Sequence, residues 1–347
     1  MDMTLSHAGR GELPRRRLSR RLGVLGGLSL ALLLALGWAA SSGSLGISPV
    51  ELVAGEVTAM DGRVWWQLRL PRLLLGVLVG AMLAGSGAAM QGLFRNPLAD
   101  PTLLGLASGA GLCVAVWVVL FPGSDAFGLY GQFVAGFLGA LGVCLLVFGL
   151  ARRRAGGGAV LTLLLAGLAI NTLAGAGGGL LAFLASDEQL RQLSLWGMGS
   201  LAHSLWGATL VTLVLVPPAL VVLLRRARDL DLLQLGEVTA HAAGLDGRRL
   251  TRRVVAATSL GVGVCVAVSG IIGFLGLLVP HCLRLWLGPG HRLLLPASML
   301  GGALLLVVAD GLARVLAMPA EMPVGLLTSL LGGPYFLYLL LRGRHGC

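Results

Sequence analysis

The chain has 347 residues, 56% of them hydrophobic and 12% charged, with a mean hydropathy of +0.88. No aqueous domain of that length carries such a balance, so composition excludes a soluble enzyme and assigns an all-α polytopic membrane protein. The formal net charge of +11 comes from 26 basic residues, every one arginine. They fall in short loops between apolar runs, which excludes a nucleic-acid-binding face, and without lysine there is no Walker A phosphate loop.

A spanning helix needs about 20 predominantly apolar residues. That rule predicts spans over 22–42, 70–92, 101–121, 129–151, 158–182, 206–224, 254–271, 273–288, 293–313 and 323–341, about ten in all. The pair around 254–288 is separated only by a close turn at Ser269, Gly270 and Gly273, so eight or nine spans are also compatible. The 54 glycines read as packing positions, since small residues such as Gly80, Ala84 and Gly87, or Gly136 and Gly139, let helices approach closely in lipid.

Before the first span stand Arg10, Arg15, Arg16, Arg17, Arg20 and Arg21, in an arginine-rich segment, 1–21, that precedes a single transmembrane domain over 22–342. Arg152 to Arg154, Arg225, Arg226, Arg228, Arg248, Arg249, Arg252, Arg253, Arg342 and Arg344 follow even-numbered spans. With an even span count the positive-inside rule puts all of these, and both termini, in the cytoplasm. A cleaved signal peptide is the alternative for the N-terminus, although its apolar run is long for one and its removal would leave an odd count. Arg63, Arg69, Arg72, Arg191 and Arg314 are left on the opposite face.

Between the second and third spans the chain reads Gln91-Gly-Leu-Phe-Arg95-Asn96-Pro97-Leu98-Ala99-Asp100-Pro101. The two prolines remove backbone donors and force a turn with exposed polar backbone, which must sit in water, in protein or along a pathway. An ordinary loop accounts for the prolines; a pathway also accounts for Gln91 and Asn96. The longest arginine-flanked loop holds Leu232 to Leu245, with Leu232 and Leu235 available to pack and Glu237 near a helix start. Such a helix lies on the membrane or docks in a partner's groove.

Asp310 is an intramembrane carboxylate and therefore a functional candidate, with Arg314 at the i+4 spacing of a helical ion pair. His281 and Cys282 in GLLVPHCLRL suggest a metal or heme ligand, with helix-end packing as the alternative. The 5 cysteines show no metal spacing, and an odd count builds no disulfide framework. No HExxH, carboxylate pair or nucleophile-base grouping supports a membrane enzyme. An ion-coupled secondary transporter would need ionisable groups at the bilayer midplane, where this chain offers little besides Asp310.

RLPR, GAMLAGSGAAMQGLFRNPLADPTLLG, LLQLGEVTAHAAGL, SGIIGFLGLLVPHCLRL, HRLLLPASML, ADGLAR and GLLTSLLGGPYFLYLLL run in order from Arg69 to Arg342 and resemble the FecCD family. These are permease subunits of ATP-binding cassette importers for iron-siderophores, heme and cobalamin. The resemblance implies a homodimer of ten-helix subunits in the bacterial inner membrane, with an ATP-binding subunit docked on each cytoplasmic face and a soluble substrate-binding protein outside. It implies a cytoplasmic coupling segment over 226–253, with Leu235, Gly236, Glu237, Ala240, Ala243 and Gly244 meeting the ATPase. Gln91, Asn96 and Pro97 would belong to the path or its gate, and Arg69, Arg72 and Arg314 would dock the binding protein through bidentate carboxylate pairs. The resemblance includes the proline-histidine pair Pro280-His281 whatever the substrate, which favours helix-end packing for His281. The exterior stretch Ser186 to Leu201 looks most like the heme and cobalamin branches, with Arg191 meeting either the cargo's anionic edge or the binding protein. Heme or another iron chelate is thus the expected cargo, cobalamin the alternative, and no resident cofactor, metal or catalytic residue is expected.

Overall fold

A computed structural model of the chain describes residues 12–42, 58–122, 128–153, 159–202, 204–316 and 321–343. The first eleven residues of the arginine-rich segment, and with them Arg10, lie outside the described residues, as do Arg154 and Arg344. In chain order the helices are α1 (Glu12–Ser41), α2 (Ala59–Phe94), α3 (Leu106–Leu120), α4 (Gly128–Arg153), α5 (Ala159–Leu184), α6 (Asp187–Gly197) and α7 (Trp206–Arg225). They continue with α8 (Ala227–Gln234), α9 (Glu237–Ala242), α10 (Gly247–Ser269), α11 (Leu275–Leu287), α12 (His291–Leu316) and α13 (Val324–Gly343). Seven of them are long and apolar enough to cross a membrane, and the shorter apolar α3, α11 and α13 bring the set to ten. Among the described residues no strand occurs.

The ten predicted spans map one to one onto these helices, with two changes. The third begins as a short 3₁₀ turn, Pro101–Leu104, capped by the Asp100 side chain, and becomes α-helical only after Gly105, whose φ of 79° is left-handed. The second starts earlier than hydropathy suggests, because α2 contains a π-helical turn at Trp65–Arg69. Pro71 has no N–H to return to the preceding turn, and a widened turn just before it absorbs that loss.

α2 is the axis of the bundle, packed against α7, α10, α11 and α12. Its composition explains why. A Cβ added to Gly80 would strike the backbone of Gly302 in α12, and one on Gly87 would strike the carbonyl of Gly276 in α11. Helices in lipid gain little from hydrophobic exclusion and associate through such close contact. Gly139 of α4 likewise meets the backbone of Gly109 in α3. Met82, Met90, Leu75, Leu294 and Leu295 fill the remaining space as fully buried side chains. α5 is different: little of its length is buried, and Leu165, Leu173, Leu180 and Phe183 are exposed.

Candidate functional site

The polar groups gather at the two ends of the unbroken α-helical stretch of α2, Leu70–Phe94. Just past the π turn, where that stretch begins, Arg72 wraps the Asp310 carboxylate of α12: Nη2 donates to Oδ1 at 2.9 Å and Nε reaches Oδ2 at 3.0 Å. Its remaining nitrogen, Nη1, donates to Glu321 at 2.9 Å. Arg314 reaches the same Asp310 with Nε at 3.3 Å, the ion pair its i+4 spacing predicts. Arg314 also donates to the carbonyls of Ala39 and Ser42, and Arg69 donates to that of Ala40 at 2.7 Å. These carbonyls end α1 and have no intrahelical partners of their own. The three arginines expected to face outward for docking therefore have their guanidiniums engaged within the chain, the side chains of Arg72 and Arg314 only 11% and 9% exposed.

At the other end, α2 closes on Arg95, a non-glycine residue in the left-handed region with φ 50°. Arg95 N donates to Gly92 O and Asn96 N to Gln91 O, satisfying carbonyls of the last helical turn. Asn96 then folds its side chain back on the turn, its Oδ1 accepting from Leu98 N at 2.9 Å, while Ala99 N donates to Asn96 O. Arg95 to Leu98, Pro97 included, are exposed; Ala99 and Asp100 are buried. Gln91 is 2% exposed and clamped: Nε2 donates to Gly276 O at 3.3 Å, and Oε1 accepts from Arg284 Nη2 at 2.7 Å. Of the pathway candidates, Asn96 and Pro97 lie on an exposed turn, whereas Gln91 is a bracket between α2 and α11.

The loop 226–253 folds as α8, α9 and the start of α10. Arg226 pairs with Asp229 at 3.0 Å, and the Asp246 side chain caps α10 by accepting from Arg249 N at 3.0 Å. That backbone hydrogen bond, with the adjacent arginines, holds the Asp246 carboxyl below the usual carboxylate range. The packing leucines are Leu230 and Leu233, both buried, where the sequence pattern indicated Leu232 and Leu235. Leu235 is instead 66% exposed, beside Val238 at 86%. The reason is a break at Gly236 (φ 103°), which turns α9 away from α8 and carries Leu235 out of the buried register. Gly244 (φ 83°) closes α9, Ala240 packs inward, Ala243 is exposed, and Glu237 pairs with Arg95 at 3.1 Å.

α6 was legible only as a polar stretch. Ser186 and Gln189 form a reciprocal capping box, the Ser-x-x-Gln signature of a helix start. Gln189 Nε2 donates to Val118 O and Gln192 Nε2 to Gln132 Oε1, laying α6 across the ends of α3 and α4. Arg191 is exposed on α6 and has no ion-pair partner among the described residues. His281 packs edge-on to Tyr335 and against Phe336, ring centroids 6.0 Å away in each case, the helix-packing role expected of it. Sequence reasoning missed His291, which is fully buried at the start of α12; a histidine opening an apolar span was the available signal.

Ten apolar helices around an internal turn held by specific polar brackets define a polytopic membrane protein. The chain belongs to the FecCD transport family, which matches residues 28–342. It is 50% identical over 319 residues to the hemin transport system permease protein HmuU of Yersinia pestis, covering 92% of this chain and 95% of that protein. It is 40% identical over 314 residues to the vitamin B12 import system permease protein BtuC of Vibrio cholerae, covering 87% and 92%. A solved inward-facing structure assigned to a metal-chelate type ABC transporter superposes with a TM-score of 0.81 at 34% identity, covering 92% of this chain and 99% of that one. The chain is a multi-pass inner-membrane permease of an ABC transport system and is not itself catalytic.

Proposed function

We propose that the chain forms the pathway of an ABC importer that carries an iron chelate, heme in preference to a ferric siderophore, from the periplasm or cell exterior to the cytoplasm. The observation that carries this reading is the 50% identity to a hemin permease over nearly the full length of both chains, against 40% for the Vibrio cholerae vitamin B12 permease. Cobalamin is the second reading, on the strength of those B12 relatives. The working unit is a homodimer with two ATP-binding subunits on the cytoplasmic side and a soluble binding protein outside, both termini being cytoplasmic. The exposed Leu235 and Val238, with Gly236, Glu237, Ala243 and Gly244, form the coupling surface within 226–253, while Ala240, expected to meet the ATPase, is buried and holds α9 from behind. Asn96, Pro97 and Arg191 serve the route, with Gln91 holding its turn.

Of the docking candidates, Arg69 and Arg314 are committed to the end of α1, so Arg72 alone is left to meet the binding protein, and Glu321 adds a condition to it. Glu321 occupies the outer nitrogen of Arg72 and is 49% exposed, so an incoming carboxylate from the binding protein exchanges with it. Glu321→Gln then strengthens capture of the loaded binding protein; weakened or unchanged capture removes Arg72 from the interface. For cargo, proteoliposomes holding the assembled importer accumulate heme with ATP and leave cobalamin outside. Cobalamin uptake without heme uptake reverses the order of the two readings.

A further inference from the structure

Where α8, α12 and α2 meet, one side chain touches all three. His291 opens α12 and is 0% exposed. Its backbone N–H donates to Asp231 Oδ1 of α8 at 2.6 Å, and its ring Nδ1 stands 3.0 Å from the same oxygen. One carboxylate thus caps α12 and fixes the imidazole plane, a charge-assisted arrangement stronger than a neutral hydrogen bond. The far edge of the ring is pressed on α2: a Cβ added to Gly92 would collide with Nε2. Glycine is required there because the ring fills the space a side chain would need.

Gly92 stands in the last turn of α2, just before the Asn96–Pro101 turn. The same helix end is bracketed on its other side by Gln91, held by Arg284 and Gly276 of α11. α8 cannot move independently of this contact, since Leu230 and Leu233 are buried along with it. Arg95–Glu237 adds a link from α9 to the turn, but with side chains 45% and 64% exposed it is screened and contributes little.

We propose that Asp231, His291 and Gly92 form the joint that passes displacement of the coupling segment to the Asn96–Pro101 turn. His291 and Asp231 are positioning residues; neither touches cargo or nucleotide. A planar ring wedged between a carboxylate and a glycine backbone has no slack, so a shift of α8 is delivered to the end of α2 instead of being absorbed in repacking. The proposal rests on the importer reading above, in which α8 and α9 lie against an ATPase.

The test measures ATP hydrolysis and cargo uptake together, in proteoliposomes holding the complete importer with its ATPase and binding protein. The readout is cargo moved per ATP, a ratio that the amount of folded protein does not alter. His291→Ala lowers that ratio at least tenfold while hydrolysis stays within about twofold of wild type. Gly92→Ala also lowers it, by displacing the ring. His291→Asn keeps a nitrogen near the Nδ1 position but lacks the far edge, so adding Gly92→Ala refills the vacated space and recovers at least half of the wild-type ratio. If His291→Ala fails to assemble, the Gly92→Ala, His291→Asn and double-variant series decides: recovery supports the joint, and strictly independent losses overturn it. A coupled wild type with an equally coupled His291→Ala overturns the joint alone. A wild-type chain that recruits no ATPase overturns the importer reading beneath it.

Discussion

Asp310→Asn tests whether the polar cluster just past the π turn of α2 is structural. The carboxylate is 5% exposed and neutralises two guanidiniums, that of Arg72 through contacts of 2.9 to 3.1 Å and that of Arg314 at 3.3 Å. The amide keeps the shape, removes the charge and turns an NH2 toward donors. Removing one partner of a buried ion pair costs about 3–5 kcal/mol, because the other charge is left uncompensated. Here Glu321 still neutralises Arg72 from the outer side but Arg314 loses its paired carboxylate, so the loss is at least about 3 kcal/mol, or roughly a hundredfold in the folded-to-unfolded ratio. Chemical unfolding in detergent, followed by helical circular dichroism, measures it. Adding Arg72→Gln to Asp310→Asn costs less than the sum of the two single changes, since the first substitution has already broken the pair. An Asp310→Asn protein within about 0.5 kcal/mol of wild type refutes the argument, for surface substitutions alone stay inside that margin.

Three other predictions test separate parts of the fold. Gly80→Val, facing the backbone of Gly302, separates α2 from α12 and costs more than the 1–3 kcal/mol typical of an overpacked core; size-exclusion chromatography then shows loss of the monodisperse peak, and a normal profile contradicts the close contact. Leu235→Asp with Val238→Asp leaves the permease folded and abolishes co-purification of the ATP-binding subunit; retained binding removes the exposed apolar pair from the coupling surface. For Asp246 the sign follows from its lowered value. Its stabilisation is present above the unfolded carboxylate value of about 3.9 and is lost as pH falls through the lower folded value. The stability gap between wild type and Asp246→Asn is therefore constant from about pH 5 to 8 and closes as pH falls past the unfolded value and through the lower folded one, whereas a gap that widens on acidification reverses the assignment.

What the sequence made legible is mostly local. Runs of about 20 apolar residues gave the spans, prolines at 97 and 101 gave the turn, and the i+4 spacing gave Arg314–Asp310. What it hid was set by distance along the chain. Nothing near Arg72 reveals Asp310, 238 residues away, and nothing near Arg314 reveals the carbonyl of Ala39, 275 residues away. Isolated arginines beyond the apolar runs therefore read as outward-facing. The register error at Leu235 has another source: the pattern assumes one continuous helix, and Gly236 breaks it. The π turn before Pro71 has no compositional mark beyond the proline itself.

The clamp on α1 also sets an order of events during synthesis. α1 packs chiefly on α12, and the Arg314 side chain that holds Ala39 O is made 275 residues later. At about 5–20 residues per second, the ribosome takes roughly 14 to 55 s to supply it. For that interval α1 stays in the bilayer without its main partner, which its mean hydropathy of 2.0 over Leu22–Ser41 permits. A helix made early is thus among the last to be locked, and a nascent chain stalled before α12 leaves the ribosome with α1 still undocked.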